Sequence, residues 1–531
     1  MQVLGVTPAG QYQGELNGLV WRNGCRSVLL WGEEGGAVSR STSLLSAVTL
    51  VAAVSIGALL NGPSATAELN ADARSPKKGP TTPLAVVSGD PYTNRNTFHK
   101  TLVEPDSFSF GPTIVSTFQA GRAHTCGASN LGWSVSHDAG VTWNDGFLPG
   151  TTVHATPPGP WIRTTDPVVA YDAKHDTWLV EGLGFPGCHE SRSVFVSRST
   201  DGANSFDEPV VVGRPTSSQD FDKNWIACDN TPTSPFYGNC YTAWDDEAHN
   251  LRLYLSTSTD GGLTWNRADV RKDTHVFGGQ PLVQPDGTVI MPIVQCCPDR
   301  IDSFISRDGG ASYSGHGTDY SGPLAIRNVK ASKVRGGLAV LIEPPIPSTD
   351  VDAAGKSYVV WYDCRFRDFG PNHRCAQNDV VMSTSTDGRH WSPVVRIPID
   401  PRTSSVEHFL PAIAVDPDTS GASAHIGVLY YYYPQADCTL ATCELSVGFV
   451  SSTDGGSSWT APLQLAGPFN NTWLPLRGDG YFAGDYFAVS FVDGKAVPVF
   501  TVAAEGTCEL GDITSCNVWI ASATIPLVPG S

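Results

Sequence analysis

Positively charged residues are scarce in this sequence. Only 34 of its 531 residues are Lys or Arg, against 52 Asp and Glu, so the formal net charge is −18 at pH 7 and the isoelectric point is about 5.0. A protein with this balance repels phosphate backbones and anionic lipids, which argues against nucleic acid or anionic membrane as a partner. It also repels polyanionic substrates, unless the binding site itself is locally basic.

Several catalytic and cofactor motifs are missing as well. The sequence contains no phosphate-binding glycine loop, no Gly-x-Ser-x-Gly and no His-Glu-x-x-His, so the reactions that depend on these motifs are not indicated. Asp350-Val-Asp352 followed by Gly355 has the start of a Ca²⁺-binding loop but lacks its remaining ligand positions. We therefore predict no cofactor and no catalytic metal, and a structural calcium ion is not predicted either.

The N-terminal region contains an apolar run, 44–60, that is short for a membrane-spanning helix. Arg40 precedes the run and Ala65-Thr66-Ala67 follows it, which is the small-x-small pattern of a signal-peptide cleavage site. We predict a signal peptide at 38–67, cleavage after Ala67, and no membrane span in the mature protein. A retained anchor is the alternative.

The remaining boundaries follow from composition. Residues 1–37 have no place in a signal peptide, and Gly32-Glu-Glu-Gly-Gly36 is what a purine-rich ribosome-binding site would encode, so we predict a mis-assigned start region with synthesis beginning at Val38. Residues 68–104 are predicted to form a linker or N-terminal segment, flexible at least to residue 89. Residues 105–531 are predicted to form one large domain, expected to be monomeric.

The cysteine content agrees with export. Of 13 Cys, Cys25 lies in the region predicted to be absent from the mature protein, which leaves an even number. No zinc-ligand spacing occurs, so disulfides in an extracellular protein are the favoured interpretation. The pairs suggested by short separation or equivalent loops are Cys126/Cys188, Cys228/Cys240, Cys364/Cys375, Cys438/Cys443 and Cys508/Cys516, whereas Cys296 and Cys297 pair with each other or elsewhere.

One short pattern, Ser-x-Asp-x-Gly-x-x-Trp, recurs along the chain, three times in full and three times with small changes. Each copy follows an alternating apolar segment, so the pattern is predicted to cap a β-hairpin, with Ser and Asp side chains bonded to backbone N–H groups and Gly supplying a positive φ. The copies are Ser136–Trp143, Ser199–Phe206, Ser258–Trp265, Ser306–Tyr313, Ser385–Trp391 and Ser452–Trp459.

These copies resemble the Asp-box, or BNR repeat, of the sialidase-like proteins, and the resemblance covers nearly all of 105–525. It implies a secreted bacterial β-propeller in which the box residues are structural. We predict an all-β fold with four strands per unit and seven blades. Six blades are the alternative, because sialidase catalytic domains have six, and a β-sandwich array is a further one.

The propeller arrangement sorts polar residues onto the face opposite the boxes. First-strand starts and the loops between second and third strands meet there, so residues distant in sequence are expected to converge. Each one alone is more readily explained as a solvated or hydrogen-bonding residue. The candidates are Arg163, Asp166, Asp222, Gln280, Arg335, Asp363, Arg365, Glu407, His408, Asp485, Tyr486 and Glu505.

The sialidase resemblance implies roles for some of these residues. Three arginines would hold a substrate carboxylate, a Tyr–Glu pair would attack the anomeric carbon, and an Asp would transfer the proton. By loop position, the clamp is Arg163, Arg335 and Arg365. Asp166 is the acid/base, and Tyr486 is the nucleophile with Glu505 or Glu407 beside it. Asp222, Gln280, Asp363, His408 and Asp485 are expected to contact the substrate.

The sequence also departs from the sialidase pattern. The Arg-Ile-Pro expected before the first box is absent from 102–135, and Arg396-Ile-Pro398 follows the fifth box on an outer strand. Asp363 and Arg365 are equally well explained as an ion pair that braces their loop. Three functions therefore stay open for an extracellular glycan partner: an exo-glycosidase of the sialidase type, a non-catalytic glycan- or protein-binding propeller, and a polysaccharide lyase using His408 with Arg335.

Overall fold

The computed structural model describes residues 84–530 except 189, 267–268, 272–274, 296–299, 315–344, 368–376, 436–437, 440 and 479, with backbone alone at 269–271. Before residue 84 it describes only the strands Trp21–Arg22, Cys25–Arg26 and Lys77–Lys78. The signal peptide predicted at 38–67, Arg335, Cys375 and the pair Cys296–Cys297 thus lie outside the described residues.

The chain divides into two compact units, Met1–Asp72 and Ala73–Ser531. In the first unit, Trp21–Arg22 pairs antiparallel with Cys25–Arg26. The second unit consists of antiparallel sheets, numbered here 1 to 7 in chain order.

Sheets 1 to 4 follow one another along the chain, and their strands run from the innermost to the outermost. Sheets 1 and 2 are also joined by one bridge between Ala128 and Thr164. The strands are, in sheet 1, Leu102–Phe110, Thr113–Arg122, Ala128–Ser136 and Asn144–Phe147; in sheet 2, Arg163–Asp172, Thr177–Phe185, Ser193–Ser199 and Val210–Gly213; in sheet 3, Phe221–Cys228, Cys240–Asp246, Arg252–Ser258 and Asp269–Arg271; in sheet 4, Val276–Phe277 with Leu282–Val283, then Val289–Gln295 and Arg300–Ser306.

Sheets 5 to 7 have the same order, and a short hairpin, Leu476–Arg477 with Gly480–Tyr481, precedes sheet 7. Lys77–Lys78 adds a parallel edge strand to sheet 6. The strands are, in sheet 5, Ser348–Val351, Ser357–Asp363, Asp379–Ser385 and Val395–Arg396; in sheet 6, Glu407–Val415, Ile426–Tyr433, Glu444–Ser452 and Leu463–Asn470; in sheet 7, Ala488–Val492, Lys495–Ala503 and Val518–Ser522, with Ala85–Val86 outermost and Ile525–Pro526 paired to the second strand.

The innermost strands form a ring. Each contacts the innermost strand of the next sheet in chain order, and that of sheet 7 contacts that of sheet 1. Sheet 7 is completed by Ala85–Val86, which pairs with Ala521 and Ser522, so an N-terminal strand from the segment predicted as linker closes the ring. The predicted all-β propeller is confirmed. The blade number stays a prediction, because residues 315–344 between sheets 4 and 5 are not described.

The core lies between the faces of neighbouring sheets. The four consecutive tyrosines of sheet 6 show this division, because Tyr430 and Tyr432 pack in the cluster shared with sheet 5 while Tyr431 and Tyr433 pack in the cluster shared with sheet 7. Alternation of side chains along a strand therefore supplies both interfaces of the sheet from one segment.

The repeated pattern forms the same turn after the third strand of its sheet. In the copy that begins at Ser258, the Ser258 hydroxyl bonds Asp260 at 2.9 Å and accepts from the Gly262 N–H at 3.0 Å. Asp260 accepts from the N–H and the hydroxyl of Thr264 at 2.9 and 2.6 Å. These bonds span at most four residues, so the turn is specified locally.

The second glycine of the turn lies against the neighbouring sheet. Gly262 has φ +79°, and a Cβ there would lie 2.8 Å from Leu179 in sheet 2. The matching Gly140 of sheet 1 would meet Val497 of sheet 7. The turn of one sheet therefore packs against the second strand of the preceding sheet, including where the ring closes. Gly suits this position because it combines a positive φ with the smallest side chain, although Ala203 (φ +64°) takes it in the copy that begins at Ser199.

Four disulfides predicted from the sequence are present: Cys126–Cys188, Cys228–Cys240, Cys438–Cys443 and Cys508–Cys516. Cys126–Cys188 links equivalent loops of sheets 1 and 2. Except for Cys228–Cys240, all lie between second and third strands, on the face opposite the repeated turns.

The helical content of the described residues is limited to three 3₁₀ turns, Glu247–His249, Gly421–Ser423 and Asn471–Trp473. In this part of the chain we find no helix with the length and hydrophobicity that crossing a membrane requires.

Candidate functional site

Four innermost strands break their register at equivalent positions. The residue at each break has a positive φ: Glu104 (+57°), Asp166 (+52°), Lys223 (+51°) and Leu410 (+44°). Positive φ is uncommon for residues other than Gly, and such strained conformations concentrate at functional sites. The bulge re-aims the side chain, and three of the four side chains meet in the centre of the ring.

A hydrogen-bonded chain joins two buried carboxyl groups from sheets 1 and 2. The Gln119 amide donates to Glu104 and, at 2.9 Å, to the Thr165 hydroxyl. That hydroxyl donates to Asp166 Oδ1 at 2.8 Å. Asp166 Oδ2 is buried and accepts no hydrogen bond from any described residue. The chain therefore leaves one oxygen of Asp166 available for another partner.

Sheet 7 reaches the same place through the segment before its first strand. The Asp485 N–H donates to Glu104 Oε1 at 3.0 Å. Gly484 allows this approach, because it has φ +122° and a Cβ there would lie 2.6 Å from Glu104 Cα. Glu104 thus ties the first and last sheets together at the centre of the ring.

Two side chains cross the ring between sheets that are not neighbours. Lys223 of sheet 3 forms an ion pair with Asp485 Oδ2, and both side chains are almost fully buried. The Tyr486 hydroxyl donates to the Pro167 carbonyl of sheet 2 at 2.9 Å, and its ring meets Trp225 of sheet 3 at 5.1 Å. We call Glu104, Gln119, Arg122, Thr165, Asp166, Lys223, Asp485 and Tyr486 the channel cluster.

Burial controls the protonation of the channel cluster. It raises the pKa of Glu104 well above its usual value, and the negative charges of Asp166 and Asp485 raise it further. Burial also raises the pKa of Asp166, although the Lys223 ammonium opposes this. The pKa of Tyr486 is raised strongly, again mainly by burial. The neutral forms of Glu104, Asp166 and Tyr486 are therefore favoured at pH values where exposed groups of the same type begin to ionise.

Arg122 of the channel cluster and Arg477 beside it lie against the same aromatic ring. The Arg122 guanidinium lies 4.7 Å from the centre of the Phe482 ring and donates to Gln119 at 3.1 Å. The Arg477 guanidinium lies 5.2 Å from the same ring. Burial, followed by repulsion from Arg477, lowers the pKa of Arg122 to about 10. A guanidinium is cationic at neutral pH, and that of Arg122 interacts with the carboxyl groups of Glu104, Asp166 and Asp485.

A second acidic group lies beside Lys223. Arg192 bonds Asp222 at 2.8 Å, Asp220 at 2.7 Å and Glu247 at 3.2 Å. Burial opposes the ionisation of Asp222, but Arg192 and Lys223 outweigh it and its pKa is lowered. Asp222 is therefore held as a carboxylate by Arg192, next to the channel cluster and not as an unoccupied substrate contact.

The structure brings together Asp166, Asp485 and Tyr486 of the predicted site residues, with Asp222 beside them. The other described candidates have local partners. Gln280 accepts from the Thr349 N–H at 2.9 Å, and Glu407 accepts from Asn378 at 2.6 Å. Glu505 is exposed in the loop after the second strand of sheet 7.

The predicted arginine clamp is not assembled in the part of the chain that the structure describes. Arg163 donates to the backbone carbonyls of Ile162 and Asn96, at 2.7 and 3.3 Å. Arg365 bonds Asp363 at 2.7 Å within its own loop, which is the bracing ion pair considered as the alternative. Loop position places an arginine correctly on a face, but unpaired carbonyls and a neighbouring Asp decide where its guanidinium points.

His408 belongs to a buried ion-pair network between sheets 5 and 6. Asp379, Asp400 and His408 have possible metal-ligand atoms within 4.8 Å of one another. Arg367 forms ion pairs with Asp379 at 2.7 Å and with Asp400 at 3.1 Å, and Arg396 forms one with Asp379 at 2.9 Å. Because two arginines already balance these carboxylates, we treat the group as structural. Arg396 of the displaced Arg-Ile-Pro thus has a packing role on the outermost strand.

Sequence reasoning missed Glu104 and Arg477, and it placed Lys223 beside Asp222 at a strand start without assigning it a role. Glu104-Pro105 repeats the pattern of Asp166-Pro167 at the same register position, so Glu104 carried a readable signal. Arg477 lies on the extra hairpin before sheet 7, and nothing in its sequence context pointed to the site.

Comparisons with known proteins complete this description. No protein-family model and no curated protein matches the sequence. Similar solved structures include the Hadza microbial sialidase Hz136, at 14% identity over 69% of this chain and 66% of that chain, with a TM-score of 0.39. A Penicillium chrysogenum alpha-L-arabinanase complexed with arabinobiose is 12% identical over 84% of this chain and 99% of that chain, with a TM-score of 0.41.

A Trypanosoma rangeli sialidase in complex with the inhibitor DANA is 12% identical over 67% of this chain and 58% of that chain, with a TM-score of 0.41. The matches thus span less than two thirds of both sialidase chains. The chain is similar to sialidase-like β-propellers, and the assignment of its fold rests on its own seven described sheets and their cyclic contacts.

Proposed function

We propose that this protein is a glycoside hydrolase that acts on extracellular glycans at the channel cluster. The observation that carries this proposal is the meeting of Glu104, Asp166 and Asp485, from three different sheets, in one buried place. Hydrolysis of a glycosidic bond needs one carboxyl group that donates a proton and a second that acts as base or nucleophile. A cluster of carboxyl groups in unequal environments meets this requirement.

Asp166 is assigned as the proton donor. Burial raises its pKa, which keeps a proton available, and its Oδ2 accepts from no described residue. Asp485 is assigned as the second carboxylate, because Lys223 pairs with it. Glu104 holds the Asp485 backbone and connects to Asp166 through Gln119 and Thr165, so it positions both groups.

The arginines favour a substrate that carries a carboxylate. Arg122 and Arg477 supply cationic groups beside the cluster, although the chain as a whole is strongly acidic. This agrees with the exo-acting, sialidase-like activity expected from the repeated turns, with different arginines in the binding role. In the conformation described, the Tyr486 hydroxyl is bonded to Pro167 and its pKa is raised. For this reason we assign the carboxylate of Asp485, and not Tyr486, to the base or nucleophile.

The test is a panel of 4-methylumbelliferyl glycosides, comprising an α-sialoside, a β-glucuronide and an α-L-arabinofuranoside, with wild type, Asp485→Asn and Tyr486→Phe. Asp418→Asn is the matched control, because Asp418 is exposed and its side chain bonds no described residue. We expect turnover of a carboxylated glycoside by wild type and the control, loss of turnover in Asp485→Asn, and retention in Tyr486→Phe. Loss in Tyr486→Phe with retention in Asp485→Asn would restore the tyrosine nucleophile.

A non-catalytic glycan-binding propeller is the second candidate. Two contacts across the ring favour it. The Tyr486 hydroxyl is hydrogen-bonded to the Pro167 carbonyl and Asp485 is paired with Lys223, so both side chains already have partners in the protein. Absence of turnover on every glycoside, together with glycan-array binding that is lost in Arg477→Ala, supports this candidate and contradicts the hydrolase.

A further inference from the structure

Lys223 has no role assigned from the sequence, yet it is the basic residue among the four register-break positions. Two of the others are acidic and one is Leu. Its bulge lies between Asp222 and Trp225 in the innermost strand of sheet 3. The side chain is 7% exposed, and its Nζ lies 5.5 Å from the centre of the Phe277 ring. Lysine is seldom buried, and strained backbone conformations concentrate at functional sites. The burial and the positive φ of Lys223 therefore indicate more than a structural role.

The Lys223 ammonium faces acidic groups from several elements. It pairs with Asp485 of sheet 7 and interacts with Glu104, Asp166 and Asp245. Asp222, which precedes it, is held by Arg192. Arg122 and Tyr486 complete the charged and titratable surroundings through their interactions with the same carboxyl groups. One compact cation is therefore shared by a group of carboxyl groups that burial pushes towards their neutral forms.

This arrangement treats two carboxyl groups differently. Asp485 has direct contact with the ammonium, whereas the side-chain contact of Asp166 is the hydrogen bond from the Thr165 hydroxyl. Each of the two carboxyl groups keeps one buried oxygen that no described residue bonds. Contact with a buried cation favours a carboxylate, and burial without such contact favours a neutral acid. The same lysine thus separates the two protonation states that the proposed hydrolysis requires.

We propose that Lys223 is a positioning residue that holds Asp485 as the ionised partner while Asp166 keeps its proton, which sets the acid and base roles of the channel cluster. This inference rests on the proposed hydrolase function. A point charge with freely rotating donors suits one carboxylate among several, whereas a planar guanidinium is larger and requires paired acceptors.

The experiment measures kcat, KM and the pH–activity profile of wild type, Lys223→Met and Lys223→Arg on the glycoside that wild type turns over. Lys495→Met is the control, because Lys495 is an exposed lysine at the start of the second strand of sheet 7. We expect kcat of Lys223→Met to fall by about 100-fold or more with KM within about threefold, since general acid–base roles contribute on the order of 10² to 10⁴. The acidic limb of the pH–activity profile of Lys223→Met should move to higher pH. Lys223→Arg should bring that limb part of the way back to its wild-type position.

A readout independent of activity accompanies these assays. The melting temperatures of Lys223→Met, Asp485→Asn and the double variant are compared at pH 7. Because the two side chains form one ion pair, the double variant should melt no lower than the less stable single variant. Additive losses would contradict the pairing on which the inference depends.

The outcomes separate the two proposals. If wild type hydrolyses a glycoside and Lys223→Met keeps the wild-type pH profile, the role of Lys223 is wrong and the hydrolase stands. If wild type hydrolyses nothing on the panel, the hydrolase is wrong and the role of Lys223 falls with it. If Lys223→Met does not fold, Lys223→Arg serves as the test. A Lys223→Arg variant with the wild-type kcat and the wild-type acidic limb of the pH–activity profile would also contradict the proposal.

Discussion

Aspartates occupy two regions of this protein in opposite electrostatic states. In the repeated turns they are near the surface, and hydrogen bonds from Thr142 lower the pKa of Asp138 to about 2. In the channel cluster they are buried, and burial raises the pKa of Asp166. The residue type is the same, but in one region N–H and O–H donors within four residues stabilise the carboxylate, and in the other the loss of water destabilises it.

The comparison separates a structural from a reactive use of the same side chain. A carboxylate saturated by local donors is a poor proton donor, because its proton leaves at low pH. A buried carboxyl group with an oxygen open to another partner can hold and deliver a proton near neutral pH. The repeated turns therefore reveal the fold, and the register breaks mark the place where we propose that chemistry takes place.

The largest expected effect is that of Asp166→Asn. If Asp166 donates the proton, the amide should lower kcat on an unactivated glycoside by about 10² to 10⁴. Because the raised pKa keeps Asp166 protonated, wild-type activity should fall as the pH rises through that value, and this limb should be absent in the variant. The matched change in a repeated turn, Asp138→Asn, should leave kcat and the pH limb unchanged. Equal losses of kcat in the two variants would erase the contrast between the regions.

Substrate recognition gives the next largest effect. Arg477→Ala should raise KM for a carboxylated glycoside by about 10- to 100-fold, because a charge-assisted contact to a carboxylate is lost, and should leave KM for a neutral glycoside within about twofold. Arg365→Ala is the control, since Arg365 is paired with Asp363. A larger rise in KM for Arg365→Ala than for Arg477→Ala would return the binding role to the clamp predicted from the sequence.

The two regions also differ in how far the sequence predicts them. The repeated turn is readable because Asp260 bonds Thr264 four residues away, so spacing alone encodes the contact. The channel cluster joins Lys223 to Asp485, which are 262 residues apart, and only the closure of the ring brings them together. The sequence predicted that Asp166, Asp485 and Tyr486 converge because strand starts meet in a propeller. The structure brings the three together, and their roles stay predictions.

The side-chain directions could not be predicted in the same way. Arg163 starts the strand that contains Asp166, but its guanidinium turns to the Ile162 and Asn96 carbonyls. Such choices depend on which backbone groups are left unpaired nearby, and these are known only once the loops are placed. Glu104 is the opposite case, because its Glu-Pro pattern could be read from the sequence. It lay just before the predicted domain boundary at residue 105.

A smaller effect should distinguish buried carboxyl groups by the pH dependence of stability. Burial raises the pKa of Glu181 to about 8. The folded state therefore binds a proton that the unfolded state has released, and this stabilisation is complete below the unfolded pKa near 4.5 and is lost as the pH rises through about 8. In Glu181→Gln the melting temperature should decline less than in wild type over this window, by several degrees. Parallel curves for the two proteins would show that Glu181 is not perturbed.

The smallest effect expected belongs to the repeated turns. Asp260→Asn removes the negative charge and replaces one of the two oxygens that accept from the Thr264 N–H and hydroxyl with an NH₂ group, which is comparable to the loss of a helix cap and should cost about 1 kcal/mol. Hydrogen bonds lower the pKa of Asp260 although burial opposes them, so its contribution is present above the unfolded pKa and is lost as the pH falls through the folded one. The melting temperature of Asp260→Asn should thus lie slightly below that of wild type at pH 7, with the difference shrinking in acid, which is the reverse of the trend expected for Glu181→Gln. The control is Asp418→Asn. A difference in melting temperature between Asp260→Asn and wild type that grows as the pH falls would contradict the conclusion that the aspartates of the repeated turns are ionised and bonded locally.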